Sequence, residues 1–341
     1  MDSYTKNKIS KYEAKRLFEE SGIGNADSVS ECLNAEFSPV FKVKSNGKVY
    51  YIKFGTAPES ATLTYEKDLI KAELAYYDAL AAAESADVGE NDRILRPSVV
   101  FRDVSREKIN VDYFISEGFD ASLQGLTFPN LNAKRRVMFQ LGQNLAKLHR
   151  LKGEGFGYAQ LGTDSNWADA FKKMVDRIVA DATVLKVKLD TYKIYGVINR
   201  AGDILKSVEE CTFVNGAVTP DNVFVNRKNF TYQGLINWSR AFYGDYVTDL
   251  ISLYPTRSLE RNRYFVKGYT SVAPFNSDNS LRVRANLMRM YLGMVIMVEL
   301  EVRWKKNSHQ YIRHKWLGRR LLRKALSALE KPFNDQTKGS L

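Results

Sequence analysis

The stretch from residue 212 to residue 249 constrains this chain more than any other. It holds three short apolar runs, Phe213 with Val214, Val223–Val225, and Leu235 with Ile236, and each ends at a polar turn. β-rich runs of this length, bounded by Gly, Asn and Asp, are strand signals. The polar residues fall at fixed places. Asn215-Gly216-Ala217 follows the first run, Asn222 precedes the second, Asn237-Trp238 closes the third, and Gly244-Asp245 and Asp249-Leu250 come after. Ala217 and Asn222 are separated by four residues. Short strands that bring polar side chains to one edge at set intervals build a site, so the rest of the chain is read outward from here.

Kinase catalytic loops place an Asp base and a metal-binding Asn with four residues between them, and a second metal-binding Asp opens the next motif. The whole stretch resembles the motif of the aminoglycoside phosphotransferase and choline-kinase-like family, which runs His-Gly-Asp, four residues, Asn, then Ile-Asp-Trp, Gly-Asp and Asp-Leu. Here the frame reads Asn215-Gly216-Ala217, Asn222, Ile236-Asn237-Trp238, Gly244-Asp245 and Asp249-Leu250. Three residues depart from it: Asn215 stands for His, Ala217 for the catalytic Asp and Asn237 for the magnesium Asp. The resemblance implies an α+β, protein-kinase-like, two-lobed fold. A small antiparallel sheet and a helix are expected over 1–118, a helical lobe with a degenerate catalytic loop over 119–331, and a flexible tail over 332–341.

In chain order, residues 8–21 are rich in helix formers and stop before Gly22, a C-cap signal. Strands are expected over 36–44 and 48–54, joined by Ser45-Asn46-Gly47, because Asn-Gly between β-rich runs marks a hairpin. Lys53 ends the second of them, in the setting where a kinase carries its phosphate-binding lysine, and Glu73 lies on the following helix, expected over 64–83, where an acid pairs that lysine. The loop near 34–39, which would cover phosphates, is poor in glycine. Further strands are expected over 94–100 and 111–117. The family's inter-lobe hinge corresponds to residues 116–119, where main-chain groups near Glu117 and Phe119 would meet adenine, and residues 120–131 would cross to the large lobe. Val137, Leu141, Leu145 and Leu148 stripe a helix over 134–151. Its end, L-G-Q-N-L-A-K-L-H-R, and the following Gly155-Phe156-Gly157-Tyr158 also resemble the family, which implies a packing role for His149. Residues 167–205 read as mainly helical, and 281–306 and 310–329 as two long helices.

The net charge is +12, and nine Lys/Arg against one acid fall between residues 301 and 324. Such a surface favours acidic partners, so an acidic protein or peptide, or a phosphorylated small molecule, is expected at the basic C-terminal helices. It disfavours polycationic aminoglycosides as substrate. A nucleic-acid role would rest on Trp304, Tyr311 and Trp316 as stacking groups beside those cations and is the weakest reading. His309 and His314 have no third metal ligand nearby. The longest apolar run, near residues 291–298, is far short of the roughly 20 residues a membrane span needs. The opening residues M-D-S-Y-T-K-N-K lack the apolar core of a secretory signal, and Cys32 and Cys211 fit free thiols, so a cytoplasmic location is expected.

The cofactor implied by the resemblance is ATP, held by Lys53, Glu73 and the hinge, with any magnesium held weakly by Asn222 and Asn237. Ala217 cannot take a proton, and loss of a general base costs about 10²–10⁴ in rate. The first reading is a catalytically impaired, nucleotide- or partner-binding module. The alternative is an active ATP-dependent phosphotransferase that acts on a small-molecule hydroxyl through an atypical site, with Asp221 or Asp245 standing in for the base.

Overall fold

The computed structural model describes residues 4–33, 35, 37–84, 89, 92–119, 121–123, 126–274 and 279–333, the side chains of 260 and 261 excepted. The small lobe is a five-stranded antiparallel sheet of β1 (Ser28–Glu31), β2 (Val40–Ser45), β3 (Lys48–Phe54), β4 (Val99–Asp103) and β5 (Tyr113–Glu117), in the order β1-β2-β3-β5-β4. The β2–β3 hairpin closes as the sequence demands. Asn46 and Gly47 both take positive φ, 49° and 74°, the pair of left-handed residues that a two-residue turn needs to match strand twist. α1 (Lys11–Glu20) starts at a reciprocal cap, with Ser10 and Glu13 each bonding the other's backbone N–H. It buries Ala14, Leu17 and Phe18 against Phe41, Val43, Tyr50, Ile52 and Phe54 of the sheet.

Three boundaries differ from expectation. The helix expected over 64–83 is broken: a 3₁₀ turn at Thr64–Glu66 precedes α2 (Leu69–Ala83), and Asp68 between them has φ 51°. The turn is held apart because the Glu66 carboxylate accepts from the Leu63 N–H (2.9 Å) and pairs with Arg303. The strand expected over 94–100 begins only at Val99, since Pro97 has no N–H for the ladder. Regular pairing of the strand expected over 36–44 begins at Val40; Asn34 and Glu36, and with them part of the loop near 34–39, lie outside the described residues, as do Asp120 in the expected crossing and the tail beyond 333. The strand β1 was not expected at all.

The large lobe holds two small sheets, β6 (Ala121–Ser122) with β8 (Val223–Val225) and β9 (Tyr232–Leu235), and β7 (Thr212–Val214) with β10 (Phe242–Gly244). Around them pack α3 (Leu131–Leu148), α4 (Trp167–Val184), α5 (Thr191–Arg200), α6 (Gly202–Lys206), α7 (Val247–Ser252), α8 (Arg263–Thr270), α9 (Asn279–Arg303) and α10 (His309–Leu329). α3 and α8 cross at two glycines. A Cβ on Gly142 would stand 2.1 Å from the Phe265 carbonyl oxygen, and one on Gly268 would stand 1.9 Å from that of Phe139. Only backbone fits there. A set of contacts ties the lobes together: Arg303 of α9 pairs with Glu66, Tyr65 donates to Glu299, and Phe37 packs on Trp304 at 6.2 Å. No described helix is long and apolar enough to cross a membrane.

Candidate active site

β3 alternates. Tyr50, Ile52 and Phe54 point into the α1 core, which leaves Tyr51 and Lys53, two residues apart, on the opposite face. α2 sets Glu73 against that face. The Lys53 Nζ lies 2.6 Å from Glu73 Oε2, and Glu73 is only 1 % exposed. The other carboxylate oxygen, Oε1, accepts the Trp238 N–H at 3.1 Å. Both oxygens of a buried carboxylate are thereby satisfied, without which its burial would be strongly unfavourable. The Lys53 ammonium also donates to Asn237 Oδ1 at 3.1 Å. Two residues that are 184 apart in the chain therefore meet across the cleft.

The opposite wall grows from β7. The chain turns at Gly216, with φ 69°, where a Cβ would come within 2.3 Å of the Arg240 carbonyl oxygen. Asp249, fully buried on α7, fixes this turn: its carboxylate accepts the Asn215 N–H at 2.8 Å and the Gly216 N–H at 2.7 Å. His149 sits behind it, its Nε2 3.2 Å from Asp249 and its Nδ1 2.8 Å from the Tyr269 hydroxyl. This buried position fits a packing role. Asn215 joins the turn to the next strand end. Its Oδ1 accepts the Ala217 N–H at 3.0 Å and its Nδ2 donates to the Asn237 carbonyl at 3.1 Å. Asn222 donates to the Ala217 carbonyl at 2.8 Å. The loop is thus fully built, and a methyl group, Ala217, occupies the place of the base.

The donors do not suit a magnesium ion. Asn237 and Asn222 are neutral amides, and the Asn237 Oδ1 is already engaged by Lys53 and by the Ser239 hydroxyl at 2.7 Å. Mg²⁺ favours carboxylate and phosphate oxygens, and among the described residues no cluster of His, Cys, Asp or Glu is arranged to hold a metal. Two acids lie near the turn. Asp245 is buried, bonded to Arg284 at 2.7 Å and to the Val247 N–H at 3.1 Å; burial raises its carboxyl and Arg284 opposes the rise. Asp221 is exposed on the loop rim. Loss of solvent on one side raises its carboxyl, and its charged neighbour is Arg313 of α10.

At the hinge, the Glu117 amide donates to Ser98 and the Gly118 amide to Val49, so these two are already used within the fold. The Glu117 side chain reaches outward to Lys48 at 3.8 Å. The Phe119 carbonyl accepts from the Tyr51 hydroxyl at 3.4 Å, and the rings of Tyr51 and Phe119 both lie against Phe224, at 6.2 and 5.9 Å. Tyr51, Phe224 and Ser239 were not singled out in the sequence, and Asn215 was noted only as a departure from the motif's His. The period-2 alternation that placed Lys53 also places Tyr51, and that signal could have found it.

The model of the APH phosphotransferase enzyme family matches residues 33–270, more than two thirds of the chain. The chain belongs to this family. Solved structures share the fold of this APH-family chain. A candidate aminoglycoside phosphotransferase from Ralstonia eutropha JMP134 superposes with a TM-score of 0.63 at 12 % identity, covering 95 % of this chain and 99 % of that one. A thermostable mutant of the aminoglycoside phosphotransferase APH(4)-Ia, in a ternary complex with AMP-PNP and hygromycin B, gives 0.60 at 17 %, covering 92 % and 98 %. A candidate fructosamine-3-kinase from Haemophilus somnus 129PT gives 0.60 at 13 %, covering 91 % and 96 %. No curated protein sequence matches the chain.

Proposed function

We propose that this APH-family protein is a nucleotide-binding module with impaired phosphoryl transfer. One juxtaposition carries the reading: Lys53 keeps its ion pair with Glu73, while what its ammonium meets from the large lobe is the neutral amide of Asn237, and the turn itself carries Ala217. A lysine held by a buried glutamate is suited to nucleotide phosphates, and structural relatives are solved with AMP-PNP and ADP. Tyr51, Phe119 and Phe224 offer an aromatic surface for a flat base at the hinge end. With Asn237 committed to Lys53, nucleotide binding here does not need magnesium.

The readout of nucleotide occupancy is a partner of acidic character. α10 presents Arg313, Arg319, Arg323 and Lys324 to solvent, together with Trp316, which is 60 % exposed and covered by the Arg320 guanidinium at 5.1 Å. Both cysteines are free thiols, which supports a reducing, cytoplasmic setting. Calorimetric titration with ATP, with and without Mg²⁺, tests the reading. It expects binding of similar strength in both conditions, lost in Lys53→Ala, with ADP formation near the uncatalysed background. Rapid, magnesium-dependent turnover would instead establish the atypical active kinase.

A further inference from the structure

A second basic site lies away from the cleft, where the start of α3 meets the start of α8. It is a cavity of about 320 Å³, within the lower range of small-ligand pockets. Lys134, Arg135, Arg257 and Arg263 stand around it, and Met138 and Phe265 form its apolar floor. Two of its cations are laid on one ring: Arg135 is 4.9 Å and Arg263 is 5.1 Å from the centre of Tyr264. Arg257 lies 4.9 Å over Tyr254. Stacking on aromatic faces holds guanidinium groups flat and leaves their N–H edges to donate. None of these four cations pairs with a carboxylate among the described residues.

The wall behind them adds a fifth positive charge. Arg289 of α9 donates to the carbonyls of Pro255 (3.1 Å) and Arg257 (3.2 Å) and to Asn286 Oδ1 (3.3 Å). These are neutral acceptors. Burial pushes its guanidinium down to about 10, so it stays charged at neutral pH. Its role is to fix the backbone that carries Arg257. Like charges gathered in one cavity repel unless an anion joins them. Guanidinium groups are the side chains best shaped to receive phosphate oxygens two at a time.

We propose that the cavity between α3 and α8 binds a small metabolite carrying two phosphate groups or a pyrophosphate, gripped by Arg135, Arg257 and Arg263, with Lys134 as a further cation. The site is separate from the nucleotide cleft. His149, which touches the catalytic turn, follows the last residue of α3, and Lys134 lies fifteen positions before it, about 22 Å along the helix axis at 1.5 Å per residue.

The test is calorimetric titration of the full chain with inorganic pyrophosphate, in wild type, in Lys53→Ala and in the double variant Arg257→Gln/Arg263→Gln. The expected result is one bound pyrophosphate in Lys53→Ala and at least tenfold weaker binding in the double variant, whose thermal melt stays that of wild type. The charge-keeping pair Arg257→Lys/Arg263→Lys recovers part of the affinity, which separates a phosphate contact from a fold defect. Failure of wild type to bind pyrophosphate overturns the proposal. So does binding that is abolished by Lys53→Ala and untouched by the double variant, since that places pyrophosphate in the cleft alone. A cavity that ignores pyrophosphate but binds single-stranded DNA through Arg257 and Arg263 would be a nucleic-acid surface, which also overturns it.

Discussion

On the wall built from β3 and α2, Lys53 and Glu73 meet at 2.6 Å in a shielded place. On the wall built from the turn after β7, the corresponding place is taken by Ala217, which is 7 % exposed. The two walls differ in what their side chains do for the structure. Glu73 also holds the Trp238 N–H, so the ion pair is part of how the lobes join. The base position has no such duty. Asp249 and Asn215 already satisfy the backbone of the turn, and a carboxylate at residue 217 would add chemistry and no scaffold. A kinase-like cleft can therefore lose its base at no structural cost, while loss of its lysine pair weakens the fold.

The largest effect expected from this contrast is a gain. Ala217→Asp with Asn237→Asp restores a base and a metal carboxylate to a turn that is otherwise built, and ATP turnover in the presence of Mg²⁺ should rise by up to about 10²–10⁴. ADP release is the measurement. No increase would mean that the turn geometry, rather than the missing carboxylates, limits transfer, and the contrast between the walls would lose its chemical meaning.

Lys53→Met should act in the other direction. It leaves Glu73 buried without its cation, and breaking one side of a buried pair costs about 3–5 kcal/mol. Urea unfolding followed by intrinsic fluorescence should show that loss, and Lys53→Met/Glu73→Gln should recover much of it, because the neutral amide no longer needs a cation. Equal stability of both variants would show that the pair is chemical equipment only, like the base position opposite.

Much of this was legible in the sequence where local chemistry and long-range packing agree. The Asn46-Gly47 turn names its own geometry, and the stripe of Val137, Leu141, Leu145 and Leu148 is buried as its spacing requires. That Lys53 and Glu73 meet was readable only through the frame of the 212–249 motif, since a lysine closing a strand and an acid on the next helix are by themselves ordinary surface residues. The break before α2 was not readable, since it is imposed by Arg303, far off in sequence, on Glu66. β1 was missed because its four residues hold a single apolar side chain, Val29; it is an edge strand with Ser28 and Ser30 exposed and Val29 and Glu31 half-buried. The bond from Lys53 to Asn237 was invisible for a different reason. Asn237 lies at φ 67°, and nothing in its neighbours announces that this backbone turns its amide oxygen toward a lysine on the other lobe.

That bond gives a finer test. Asn237→Asp alone places a carboxylate beside Lys53 and gives a metal one charged ligand. ATP affinity should then become magnesium-dependent, by about tenfold or ~1.4 kcal/mol, with turnover still low because Ala217 is unchanged. Titrations of wild type and variant with ATP, with and without Mg²⁺, provide the comparison. A wild type that is already magnesium-dependent would show that the amides suffice and that the large-lobe wall is less depleted than its residues suggest.

The smallest effect concerns the seam between the walls. His314 on α10 stacks on Trp304 with ring centres 6.1 Å apart, and Trp304 in turn meets Phe37 of the small lobe. Burial lowers the His314 imidazole below its usual value near 6.5, Arg313 and Arg240 lower it further, and Glu299 opposes them. The folded state thus prefers the neutral ring. Well above pH 6.5 the ring is neutral in both states and has no effect. As the pH falls below 6.5 the unfolded chain takes up the proton first, and stability declines until the folded ring also titrates. The melting temperature should therefore fall more steeply below pH 6.5 in wild type than in His314→Gln, with the two differing little in slope above pH 7. A pH-dependent loss traced to His314 would locate a weak point of the seam on the α10 side. Identical profiles for wild type and His314→Gln would remove this residue from the seam and leave the Arg303–Glu66 and Tyr65–Glu299 contacts to hold the lobes together.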